Sequence, residues 1–252
     1  MKLNLAIPIR TSGVYNFWNS ERYISKDKGL ITRTCIKSLA ASIAASQVRP
    51  IISIHDDNSD DYTLNSIHES FHEYGLKYEL YHTEPQQNFI SQYEWTIEQD
   101  FDFVYNIEDD YLHYPAAIHD MVDMIDCMNR LKPYDYAMYP FNNPHRYQSF
   151  AALYPSYIVK GTYQYWRSLL HSTHTFMCSK KCFVDNIDIM KDQAYTWHVD
   201  AAVEDESINK VWRNQETILF CPMNSLAFHM TDVTQKPDFD DWQTLWSYYE
   251  TR

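Results

Sequence analysis

The chain reads as an α/β protein, with a mixed, mainly parallel sheet flanked by helices. Three observations lead there. Strand and helix patterns alternate four times before Pro115, and right-handed crossovers between such units give a parallel sheet covered on both faces. The predicted strands are short apolar runs of the kind that fill a buried sheet. Two of them run out into clustered carboxylates, at the strand ends where open α/β sheets bind ligands.

Leu3 to Ile9 is the first strand. Thr34 to Gln47 follows as a helix, with Ile36, Leu39, Ala40, Ile43 and Ala44 at helical spacing. Pro50 opens a second strand, Ile51 to His55, which runs into Asp56-Asp57-Asn58-Ser59-Asp60-Asp61. Asp60 or Asp61 caps a helix whose apolar face is Leu64, Ile67, Phe71 and Tyr74. Gly75 falls where the end of that helix needs a left-handed residue. Tyr78 to His82 is a third strand, and Pro85 to Glu98 is a helix with Phe89, Tyr93 and Ile97 inward. The fourth strand carries Phe103, Val104, Tyr105 and Ile107 and ends in Glu108-Asp109-Asp110. Pro115 starts another helix, with Ile118, Met121, Val122 and Ile125 on one stripe.

The second half is less regular. Strands are expected over 136–139, 173–178, 218–221 and 225–229. Ser179 caps a helix reaching Met190, Ala201 to Trp212 forms another, and Asp238 to Tyr249 is an acidic, Trp-rich helix or tail. Phe141 to Gly161 is aromatic and punctuated by proline, and reads mostly as loop.

A length of 252 residues suits one domain with two fused halves, the first reaching about residue 130 and the second running from about 131 to 252. The net charge of −13 argues against nucleic acid and against an anionic membrane surface. It leaves room for a nucleotide, because a bound metal reverses the local field. Cys35, Cys127, Cys178, Cys182 and Cys221 are odd in number and scattered, without a zinc spacing, so they read as reduced, buried thiols of a cytoplasmic protein. No signal peptide pattern opens the chain and no apolar run reaches membrane-span length, so no transmembrane segment is expected. Aromatics make up 16% of the residues, with 21 Tyr; such side chains either stack on sugars and bases or fill a core.

Glu108-Asp109-Asp110 is the stretch around which the rest is organised. Three carboxylates at the end of a buried strand repel one another and lose hydration, and a bound cation relieves both. A solvated polar turn accounts for the same residues if all three reach water.

Four stretches, in this order, resemble nucleotide-sugar glycosyltransferases of the GT-A (Rossmann-like) fold, nearest the inverting family-two type. They are Leu5-Ala6-Ile7-Pro8-Ile9-Arg10; Ile54-His55-Asp56-Asp57-Asn58-Ser59-Asp60; Asn106-Ile107-Glu108-Asp109-Asp110; and Val203-Glu204-Asp205-Glu206. The second is similar to the family's strand-Asp-Asp-Gly-Ser-x-Asp, with Asn58 in place of glycine; asparagine tolerates the left-handed backbone next best. The third is similar to the family's D-x-D motif, here with Glu first. Gln87-Asn88-Phe89-Ile90 departs from the family's Asn-x-Gly. The family's C-terminal membrane segments are absent from the chain, which argues against a processive membrane synthase.

The resemblance implies a donor of the UDP- or GDP-sugar type, a glycan or other hydroxyl acceptor, and Mn²⁺ or Mg²⁺. It assigns the metal to Asp110, with Glu108 on the same face of an extended chain and His229 as a further ligand. Asp109 points the other way and ties down the loop. Asp57, with Asp56 as the alternative, takes the base or ribose, although both also suit a turn. Pro8 and Arg10 line the same pocket, where Arg10 contacts phosphate or reaches solvent. Asp205, with Glu204 as alternative, is the base that inversion requires, although acids here also suit a helix N-terminus. Tyr154, Tyr157, Tyr163, Tyr165, Trp166 and Trp197 are acceptor-side candidates or core. Two other readings remain: a catalytically inactive GT-A-like binding module, and a sugar-nucleotidyltransferase. The second wants a glycine-rich basic loop after strand one, which Arg10-Thr11-Ser12-Gly13 imitates poorly.

Overall fold

The computed structural model describes residues 3–13, 24–25, 27–84, 87–130, 135–144, 147, 155–196, 207–214, 216–230 and 241–251. The first half runs β1 (Leu5–Ser12), α1 (Lys28–Ala45), β2 (Ile51–Asp57), α2 (Asp61–Glu73), β3 (Glu79–His82), α3 (Asn88–Glu98), β4 (Phe103–Glu108), β5 (Tyr111–His113) and α4 (Ala117–Asn129). The second runs β6 (Asp135–Met138), β7 (Ile158–Lys160), β8 (Tyr165–Leu169), β9 (Phe176–Ser179), α5 (Lys180–Asp185), α6 (Ile187–Thr196), α7 (Ile208–Arg213), β10 (Thr217–Pro222), β11 (Ala227–His229) and α8 (Trp242–Glu250).

Nine strands form one sheet in the order β3-β2-β1-β4-β9-β6-β10-β8-β7. β9 and β8 run against the rest, so the sheet is mixed and mostly parallel, as its apolar strand pattern predicts. Alternation along β1 divides the core. Leu5, Ile7 and Ile9 pack with Ile36, Leu39 and Ile43 of α1 and with Ile67 and Phe71 of α2. Ala6 belongs to the opposite cluster, with Phe89 and Tyr93 of α3, Phe183 of α5 and Trp212 of α7. β5 and β11 form a separate two-stranded antiparallel ribbon that sets Tyr111 opposite His229.

Local chemistry explains the turns. Asp60 caps α2 by accepting from Thr63 N at 2.6 Å. Gly75 follows that helix at φ 63° and Asn58 takes φ 64°, both left-handed, as their residue types predict. All five cysteines are free and buried.

Phe89 and Tyr93 of α3 face inward as expected but Ile97 is exposed, and the elements differ from the sequence expectation in four further places. α1 starts at Lys28 rather than Thr34, because Asp27 caps it by accepting from Leu30 N. β5 is too short to carry a periodic signal. β7 lies inside the stretch read as loop, and β8 follows it as its antiparallel partner. The helix expected from Ser179 to Met190 breaks at Asn186, whose side-chain amide donates back to Cys182 O, dividing α5 from α6. Residues 201–206 of the expected helix over 201–212 lie outside the described residues, which show α7 from Ile208.

Two buried histidines make stability sensitive to acid. His113 bonds Tyr105 Oη through Nε2 and Tyr111 O through Nδ1, both at 2.8 Å; His55 bonds Ser53 and Ser91, also at 2.8 Å. Burial pushes each imidazole down to about 4 from 6.5. Below pH 6.5 the unfolded chain takes up protons that the folded one refuses, so stability is lost as pH falls from 6.5 to about 4, by a few kcal/mol in all. Urea midpoints measured across that range test this; a flat profile between pH 7 and pH 5 rules it out.

Candidate active site

The acid cluster sits at the carboxyl ends of β1, β2 and β4. β1 lies between the other two, with Arg10 in register with His55 on one side and Glu108 on the other. Strand alternation therefore puts Arg10, Glu108 and Asp57 on the face covered by α3. Arg10 Nη2 donates to Glu108 Oε1 at 2.6 Å, and its guanidinium lies 3.6 Å from the centroid of Phe89 on α3. Thr175 holds the base of this pair, accepting from Glu108 N at 3.0 Å. The Arg10 side chain is thus neither loose nor snorkelling.

Asp109 points the other way. Its carboxylate accepts from Lys28 Nζ, from Thr32 Oγ1 at 2.9 Å and from Ser12 N at 3.1 Å. Asp109, Lys28 and Thr32 are buried and Ser12 is half-buried, so Asp109 clamps the β4–β5 turn to the start of α1 and the end of β1. Asp110 is left facing the ribbon: its Oδ1 lies 3.3 Å from His229 Nε2, and its carbonyl accepts from Met230 N at 2.8 Å. His229 stacks on Tyr111, with centroids 4.6 Å apart and planes at 12°. Tyr111 Oη is fixed in turn by Thr173 Oγ1 at 2.6 Å and Tyr139 Oη at 3.1 Å.

Asp56 closes the turn after β2. Thr11 Oγ1 donates to its Oδ1 at 2.7 Å and Ser59 N to its Oδ2 at 3.1 Å. Asp57 ends β2 in register with Ser12. Gly13 packs so closely on this turn that an added Cβ would meet Asn58 O at 2.1 Å. Pro8 O accepts from Gln92 Nε2 of α3 at 2.7 Å, which fixes that helix on β1.

The fold thus brings Arg10, Glu108, Asp109, Asp110 and His229 to one sheet edge, with Asp56 and Asp57 at the neighbouring turn. Glu204 and Asp205 lie outside the described residues, as do Tyr154 and Trp197. Trp166 is core, 1% exposed. Tyr157, Tyr163 and Tyr165 are exposed on the β7–β8 hairpin, four strands beyond β4, or roughly 19 Å at the usual strand spacing. Lys28, Thr32, Thr175 and His174 are unanticipated. His174 packs on Phe89 with centroids 4.2 Å apart, and burial holds its imidazole well below the usual range, helped by the charge of Arg10. A buried lysine carries no sequence signal, because lysine usually faces water.

Asp110 and His229 offer a carboxylate and an imidazole to one point, a donor set that suits Mn²⁺ better than Mg²⁺. Among the described residues no group of three His, Cys, Asp or Glu side chains converges as a metal cage.

No protein-family model matches the chain, and no curated protein matches its sequence. Solved structures do match its fold. S. aureus TarS superposes with a TM-score of 0.56 at 12% identity, over 90% of this chain and 37% of that one. TarS 1-349 in complex with UDP-GlcNAc gives 0.51 at 13%, over 90% and 60%. The glycosyltransferase GlyE of Streptococcus pneumoniae TIGR4 gives 0.51 at 10%, over 98% and 61%. The chain spans less than two thirds of the length of each of these. The nine-stranded mixed sheet with helices on both faces is a GT-A-like fold, shared with TarS and GlyE.

Proposed function

We propose that this chain moves a sugar from a nucleoside-diphosphate sugar, of UDP or GDP type, to an acceptor hydroxyl, with inversion and with a divalent cation. The observation that carries the reading is the convergence of Asp110 and His229 beside the Arg10–Glu108 pair, at the strand ends where such a sheet takes its ligand. Structures of TarS with UDP and with UDP-GlcNAc support the donor class.

In this reading Asp110 and His229 would hold Mn²⁺ or Mg²⁺, with Glu108 as a further oxygen ligand once Arg10 turns to phosphate, and a cation held there would supply positive charge to offset that developing on the diphosphate. Arg10, backed by Phe89, presents its guanidinium to the same phosphates. Asp57 receives the base or ribose while Asp56 keeps the turn closed. Asp205, or Glu204 beside it, accepts the hydroxyl proton as the acceptor oxygen bonds to the anomeric carbon and the bond to diphosphate breaks. The acceptor is a glycan or another hydroxyl compound.

A thermal-shift panel tests the donor site. UDP, GDP, CDP and TDP are each added with and without Mn²⁺ to wild type and Asp110→Ala. At about 100 times its dissociation constant the cognate nucleotide should add roughly 2.7 kcal/mol of stability, in wild type and with metal. No shift with any nucleotide sinks the reading and returns the acids to a structural turn.

A further inference from the structure

A second cavity, of about 260 Å³, opens on the α3 face of the outer strands β2 and β3. It is lined by His55, Tyr81, Gln87, Ile90, Ser91, Glu94, Trp95 and Glu98. It shares a rung of the sheet with the candidate active site, because Tyr81, His55, Arg10 and Glu108 are in register across four strands.

Three rings form its wall. Tyr81 stacks on His55 at 5.2 Å and 10°, and Trp95 meets His55 edge-on at 6.0 Å and 67°. One carboxylate fastens two of them: Glu79 Oε2 accepts from Tyr81 Oη at 2.7 Å and from Trp95 Nε1 at 3.0 Å. Those bonds, the Tyr81 one first, keep the Glu79 carboxyl below its usual range and so ionised. A ring whose N–H or O–H donates to an anion gains electron density on its face, the face that attracts a cation.

The charges agree. The lining holds two carboxylates and no lysine or arginine. Lys191 Nζ neutralises Glu94 at 3.1 Å, but no described cation bonds Glu98, which leaves Glu79 and Glu98 to set the field. His55 adds no positive charge near neutral pH, since burial holds it at about 4 and Ser53 and Ser91 engage both ring nitrogens. A neutral aromatic wall with two uncompensated carboxylates disfavours anions and nucleotides.

We propose that this cavity binds an organic ammonium cation, its alkyl groups against Tyr81 and the exposed edge of Trp95 and its charge toward Glu79 and Glu98. The site is separate from the nucleotide-sugar reading and stands or falls without it. The volume suits a compact alkylammonium group, whether a free small molecule or the end of an acceptor bearing an amine.

Choline is the probe, titrated into the isotope-labelled full chain while the Trp95 indole N–H is followed by NMR. Its uncharged isostere 3,3-dimethylbutan-1-ol and sodium chloride serve as controls. Choline is expected to give a saturating shift with a dissociation constant of about millimolar order, and the controls none. Glu98→Gln and Tyr81→Leu, both at exposed positions, are each expected to weaken binding at least about threefold. No saturable shift up to about 100 mM choline overturns the proposal. So does an equal shift with the alcohol or the salt, or undiminished affinity in both variants.

Discussion

Asp109→Ala is expected to destabilise the fold by about 3–5 kcal/mol, the cost of leaving a buried charge without its partner. The Asp109 carboxylate accepts from Lys28, Thr32 and Ser12 together, the first two in buried contacts. Alanine removes the charge that Lys28 Nζ was buried against and leaves two further donors short of an acceptor. Asp109→Asn keeps part of the hydrogen bonding and should cost less. The pair Lys28→Met with Asp109→Leu should cost much less than the sum of the single changes, because an apolar pair of similar volume replaces a buried ion pair at little loss. Urea denaturation of the three variants checks this. A cost below about 1 kcal/mol for Asp109→Ala would mean that water reaches the cluster.

The second large effect concerns turnover. With the cognate donor, Asp110→Ala is expected to lower kcat by at least about 100-fold, near 2.7 kcal/mol of barrier, and to abolish the response to Mn²⁺. His229→Ala should keep the response but shift it to higher metal concentration, since an imidazole is one ligand of several. Asp110 is buried and His229 nearly so, and urea midpoints of both variants separate lost folding from lost turnover. Release of nucleoside diphosphate across a Mn²⁺ titration reads both. If Asp110→Ala kept a tenth of wild-type turnover with the same Mn²⁺ curve, the residue would have no part in metal binding.

These two effects separate adjacent residues, and the sequence shows why only partly. Alternation on an extended chain places Glu108 and Asp109 on opposite faces, and the fold obeys it. Asn58 announces a left-handed turn by residue type alone, and the apolar runs of β1, β2 and β4 announce a buried parallel sheet. Each of those signals is local. The partners of the acids are not. Lys28 meets Asp109 from the first turn of a helix whose start the apolar pattern misses, since Asp27 caps it ahead of the periodic residues. Phe89 looks like a departure from the family pattern, and only the packing of α3 on β1 shows it as the platform under Arg10. His229 sits on the strand expected over 225–229, but the strand that pairs with it, β5, is too short for any period to register. The second half hides more for a related reason. β7 is an edge strand of three residues with none of them buried, and in β8 only Trp166 is buried, so neither shows an alternation long enough to read.

The β5–β11 ribbon has a consequence for how the protein is made. Asp110 leaves the ribosome early, with β1 to β4 already able to pair, whereas His229 follows more than a hundred residues later. Loop closure over that span adds little extra cost, but it cannot begin until β11 exists. A nascent chain can therefore assemble its parallel half and bury the Asp109 clamp while the neighbouring imidazole is still unsynthesised. The imidazole that faces Asp110 is the last of these groups to be made, after the strands that carry the acids.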